Sequence, residues 1–183
     1  MEWFWTFLWY SFLGFLLEVG YAGWRGASMD RKCLLLLPLC PVYGLGACAV
    51  LLLPAEILQV PGLLVLVGGL TATGVEYAVA LFYQKVLSVS FWDYQGHLGS
   101  LHGRVCLPFA LAWSMLLLPM VYWIQPVVTP LFERIPALVS WTVFLVVAAD
   151  FMMSGVVLHR TGDIHSLQWY RAMVGVPWSK KKS

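Results

Sequence analysis

The chain has 183 residues, 61% of them hydrophobic and 11% charged, with a net charge of +2. A soluble domain carries about a quarter charged residues, so most of this chain does not face water. Stretches able to span a bilayer nearly exhaust its length, which excludes a separate soluble domain such as a nucleotide hydrolase, and the small positive charge points to no nucleic-acid partner.

A spanning helix needs about 20 mostly apolar residues. In chain order the expected spans are residues 3–24, 40–58, 63–83, 105–124 and 137–158. The opening MEWFWTFLWYSFLGFLLEV lacks the basic start and small-residue cleavage site of a signal peptide, so it reads as a retained span. Ahead of the second span, LLLLPLCP is open to another reading, a re-entrant piece that enters without crossing. The expected fold is therefore an all-α integral membrane protein of the cell membrane, a multi-pass bundle of about five transmembrane helices over residues 1–160. Residues 161–183 form an interfacial, basic tail whose WSKKKS end suits anionic lipid. Ten of the eleven Lys and Arg residues fall on one side of this arrangement and only Arg134 on the other, which predicts an outside N-terminus and a cytoplasmic C-terminus.

Three carboxylates lie within the spans: Glu18, Glu76 and Asp150. A charge at the bilayer centre costs about 2.5–3.5 kcal/mol even on the lenient insertion scale, so such groups face the bundle interior. Helical spacing agrees. Ser11, Gly14, Glu18, Tyr21 and Arg25 form one stripe, and Gly69, Thr73, Glu76, Ala80 and Tyr83 form another. Ser140, Val147, Asp150 and Ser154 share a face more weakly. All three acids are expected on the cytoplasmic half, around one shared polar region. Two roles stand open for them: binding or moving a solute or proton, or holding helices together as paired or protonated groups.

Four blocks carry a resemblance. They are YSFLGFLLEVGY with Arg25 seven residues after Glu18; CPVYGLGA with Cys40, Pro41, Tyr43 and Gly44; the pair Glu76–Tyr77; and Trp92, Asp93, Tyr94, then Gly103, Cys106, Leu107 and Trp113. In this order and spacing, over roughly residues 10–113, the chain resembles the Putative ABC-transporter type IV family, also called CmpB-like, of small membrane proteins. The resemblance implies a transport component. Two positions depart from the pattern: Leu36 and Leu37 stand where the family tends to have Asn-Gly, and Ser100 where it tends to have Asn. The chain has no GxxxxGK[ST] phosphate loop, so an ATP-driven role calls for a separate ATPase subunit.

The fourth block sits in FWDYQGHLGSLHGRVC, a connection with more chemistry than a turn requires. Asp93 and Arg104 are expected to pair with each other or with Arg25 and Glu18. Such a set would gate the mouth of a polar cavity or hold an anionic headgroup, or else clamp two helix ends. The spacing of Asp93, His97 and His102 fits no zinc pattern, and no metal or other cofactor is implied. Cys33, Cys40 and Cys106 fall on the reducing side, where disulfides are not expected.

The leading function is transport, moving or gating a small solute or ion through a cavity lined by Glu18, Glu76 and Asp150, with Arg25, Tyr43, Asp93 and Arg104 binding or gating. Five spans are few for a transporter, which implies a homo-oligomer or a partner subunit among membrane lipids. A second reading is a membrane enzyme acting on a lipid or isoprenoid phosphate, with Asp93 or Glu18 as base and Arg25 and Arg104 holding phosphate. A third is a non-catalytic assembly subunit.

Overall fold

The computed structural model describes residues 1–24 and 34–167. Among them every regular element is helical, apart from one isolated bridge between Leu101 and Val105. Six helices follow in order: α1 (Glu2–Trp24), α2 (Pro41–Leu51), α3 (Ala55–Leu58), α4 (Pro61–Val86), α5 (Leu107–Glu133) and α6 (Ala137–Thr161). A short 3-10 turn, Ile164–Leu167, closes the described chain. Three of the helices, α4, α5 and α6, are long and apolar enough to cross a membrane, at 26, 27 and 25 residues. At 1.5 Å per residue each reaches about 37–40 Å, more than the hydrocarbon thickness. The 23 residues of α1 are also long enough, but its Trp, Tyr and Glu residues lower its mean hydropathy.

The second expected span differs from expectation. Two helices stand there in place of one: Pro41–Leu51, too short to cross alone, and the single turn Ala55–Leu58, separated from it by the break at Pro54. Pro41 occupies the first turn, where a missing N–H costs nothing, so the helix starts at that point. The residues before it, 34–40, are irregular, yet Leu34, Leu35, Leu39 and Cys40 are buried. Their backbone groups find partners inside the bundle. Cys40 N–H donates to Ser11 O at 2.9 Å, halfway along α1. Non-helical backbone is tolerated at membrane depth only where protein satisfies it, and here protein does. Cys40 is disulfide-bonded, which corrects the expectation that it is a free thiol.

The helices alternate in direction. α2 runs back along α1, since Gly14 meets Tyr43, Ser11 meets Gly44, and Cys48 reaches Trp3 O. α4 and α5 are antiparallel, with Gly68 against Leu117 and Gly69 against Ser114. α6 runs parallel to α1: near their starts Trp5 donates its indole N–H to Ser140 Oγ at 2.9 Å, and further along both, Ser11 and Asp150 bond the same segment, at Cys40 and at Leu36 and Leu37. Two apolar clusters fill the bundle. One joins Leu8, Leu34, Leu35, Tyr83, Val147 and Leu158; the other joins Tyr10, Val50, Leu64, Leu117 and Met120.

Two π turns widen the long helices, at Leu64–Gly68 and Met120–Ile124. The second lies between Pro119 and Pro126, whose rings remove N–H donors from the ladder. Gln125 N–H reaches back five residues to Met120 O. Tyr10 of α1 donates towards the same carbonyl at 3.4 Å and to Gln125 Oε1 at 2.9 Å, tying α1 to the widened turn. At its end α6 stops on Gly162 (φ 61), whose N–H donates to Leu158 O.

Candidate functional site

Two of the three intramembrane acids come together, and aromatic side chains join them. Gly14 lies against the Tyr43 ring so closely that a Cβ would collide with it. One turn further along α1, Tyr43 donates its hydroxyl hydrogen to Glu18 Oε1 at 2.5 Å. The Tyr43 ring packs edge-on against Trp113 of α5, with centroids 4.9 Å apart. Trp113 in turn donates its indole N–H to Glu76 Oε2 at 3.2 Å, while Tyr94 donates its hydroxyl to Glu76 Oε1, also at 3.2 Å. Phe109 stacks on Tyr94 and meets Tyr21 edge-on.

The two carboxylates differ in access. Glu76 is 7% exposed, whereas Glu18 lies open at the edge of the group. Both oxygens of Glu76 accept from neutral donors, and among the described residues no cationic side chain bonds to it. Tyr94 stays a donor: burial first, then the negative charge of Glu76, holds its phenol well above the ordinary range.

Asp150 is elsewhere, which corrects the expectation of three acids around one region. Its Oδ1 accepts from Leu36 N–H at 3.0 Å and from Ser154 Oγ at 2.9 Å, and its Oδ2 accepts from Leu37 N–H at 2.8 Å. It holds the irregular segment ahead of α2. Leu36 and Leu37 contribute through their backbone there, so the loss of a polar side chain at those positions leaves this contact intact. An apolar cleft of about 280 Å³ lies beside that segment, lined among others by Trp5, Trp9, Phe12, Pro38 and Phe132, and by none of the three acids.

The connection between α4 and α5 folds as a compact knot. His102 (φ 55) and Gly103 (φ 72) are the two central residues of a tight turn closed by Arg104 N–H to Leu101 O, the two-residue hairpin form that needs positive φ twice. Gly103 is required twice over, since a Cβ there would sit 2.5 Å from Asp93 Oδ1. Asp93 and Arg104 do not pair. Asp93 accepts from Gln95 N–H at 2.9 Å, a local turn of its own. Arg104 donates Nε–H to Gln84 Oε1 at 2.9 Å and Nη1–H to Tyr77 Oη at 2.8 Å, and its guanidinium lies 5.1 Å from the Tyr77 ring centroid. Trp92 donates to Arg104 O at 2.8 Å, fixing the backbone below. Arg25 and Cys33 lie outside the described residues, as does the tail from residue 168.

His159 makes no cap on its own helix. Its Nδ1 donates to Val86 O at the end of α4, 3.1 Å away. Among the described residues no three His, Cys, Asp or Glu side chains converge as a metal centre requires. Sequence reasoning missed Tyr94 and Trp113 as partners of Glu76, and Tyr77 and Gln84 as partners of Arg104. The first three stood in the family blocks and carried a signal. Gln84 did not.

A family model described as Putative ABC-transporter type IV matches residues 5–157. No curated protein matches the chain, and no solved structure does.

Proposed function

Since the chain belongs to the Putative ABC-transporter type IV family, we propose that it is a multi-pass transport component that moves or gates a small cation or proton past Glu18 and Glu76. The observation behind this reading is Glu76 itself. A carboxylate 7% exposed, deep in a helix long and apolar enough to span, has among the described residues only neutral donors. Such a group needs a proton or a passing cation to offset its burial. Glu18, open at the edge and linked through Tyr43 and Trp113, gives the route a first station. In this reading α1 and the 34–51 stretch complete five crossings with the N-terminus outside, supported by the alternating helix directions and the Lys and Arg bias. A second copy or a separate ATPase subunit completes the machinery.

The test uses the full chain in liposomes holding a pH-sensitive dye under an imposed proton or sodium gradient. Glu76→Gln keeps shape and hydrogen-bonding capacity, so the variant still assembles, while the flux that the wild type carries falls to background in it. Flux unchanged in Glu76→Gln, or no flux in the wild type under either gradient, removes the reading.

A further inference from the structure

Among the described residues Arg104 is a fixed cation without an anionic partner. Its Nε and Nη1 are held by neutral acceptors, Gln84 and Tyr77. Its side chain is half-buried, yet Nη2 is not among the buried atoms that lack partners and has no partner among the described residues, so it remains reachable. Asp93, the single acid of the loop, is turned to Gln95 N–H. Exposed cationic or protonatable groups stand close by: Lys85 follows Gln84 on α4, and His102 Nδ1 lies 3.2 Å from Tyr77 Oη. The position is at the water-facing end of the α4–α5 pair, where Trp92 also lies.

An arginine is seldom kept half out of water with nothing to neutralise it, because desolvating a guanidinium costs free energy that neutral partners only partly return. Two of its nitrogens are spent on orientation, which presets the fork and removes rotamer entropy before any ligand arrives. A guanidinium offers phosphate oxygens paired, charge-assisted hydrogen bonds. We propose that Arg104, oriented by Gln84 and Tyr77, is a binding site for a phosphoryl group at this end of the bundle. The site shares no residue with the Glu18–Glu76 route and holds independently of that reading. A phospholipid headgroup and a free phosphorylated solute share this chemistry, and the experiment separates them.

The full chain is purified from vesicles of phosphatidylcholine doped with phosphatidic acid, and the lipid retained per chain is measured by mass spectrometry. The wild type retains phosphatidic acid in preference to phosphatidylcholine, and Arg104→Gln reduces that retention about tenfold, the size expected for one charged hydrogen-bonding group. Lys85→Gln, which removes a neighbouring exposed charge, leaves retention within about twofold on the same scale. Equal loss in both variants means diffuse attraction to an anionic surface and overturns the site, as does equal retention of both lipids by the wild type. Inorganic phosphate is then added as competitor. Displacement identifies a free phosphorylated solute as the natural ligand, and resistance identifies the lipid. Should Arg104→Gln fail to fold, Arg104→Lys and Tyr77→Phe decide. Each spoils the fork while keeping the charge or the ring, and unchanged retention in both overturns the proposal.

Discussion

Asp150 accepts a hydrogen bond from the Leu37 backbone N–H at 2.8 Å, across 113 residues of chain. With the Leu36 bond it makes an intramembrane acid the partner of two backbone donors that no helix satisfies. An acid that reads as functional by its depth is, in its contacts, a clasp for unwound chain.

Replacing that clasp should therefore cost stability first. Asp150→Ala leaves two N–H groups and Ser154 without their acceptor, at about 1–3 kcal/mol for each buried group left unsatisfied. Asp150→Asn keeps one acceptor oxygen and should lose about half as much by the same rule. Thermal unfolding of the purified chain in detergent measures both. Equal stability of Asp150→Ala and wild type would show that residues 34–37 are held by something else.

Close helix approach gives a second expectation. Gly14 faces the Tyr43 ring and Gly69 faces Ser114, each with no space for a Cβ, while Gly62 has nothing within 4 Å. Gly14→Leu and Gly69→Leu should each cost about 1–3 kcal/mol through overpacking, and Gly62→Leu little. Size-exclusion profiles with melting temperatures separate the three. Equal behaviour would mean that these crossings are looser than they stand here.

Tyr10→Phe isolates the tie between α1 and the widened turn of α5. It removes the donor to Gln125 and Met120 but keeps the ring in its apolar cluster. The expected loss is about 1 kcal/mol, with faster hydrogen exchange confined to residues near Gln125. Exchange unchanged there would show that the π turn stands without its tie.

Topology is checked by chemistry at two exposed positions, Gln59 after α3 and Gln95 in the α4–α5 connection. Single cysteines there, with the native thiols blocked, should react with a membrane-impermeant maleimide from opposite faces: Gln59→Cys from outside and Gln95→Cys only after the cytoplasmic face is opened. Reaction of both from one face removes the five-crossing arrangement.

Helices, their order and the inward faces were legible in the sequence because they depend on local properties. Hydropathy marks what leaves water, and the 3.6-residue period assigns Gly14, Gly69 and Glu76 to faces that pack inward, while Glu18 on the first stripe lies open at the edge. Pro41 likewise announced where α2 begins. The form of residues 34–40 stayed open in the sequence, since they are as apolar as any helix and only the partners of their backbone groups decide it.

Tertiary structure alone decided which acid meets which partner. Glu18 and Asp150 look alike in sequence, each an acid on a helix with small residues one turn away. One faces Tyr43 and stays open at the edge of a group; the other faces unwound backbone and is used up by it. Arg104 shows the same limit: its partners lie 20 and 27 residues back on α4, and neither is an acid. Charge and spacing say that a polar group must be satisfied. Where its bonds go is set by helix crossings that no local pattern encodes, because each crossing brings together residues that the chain keeps far apart.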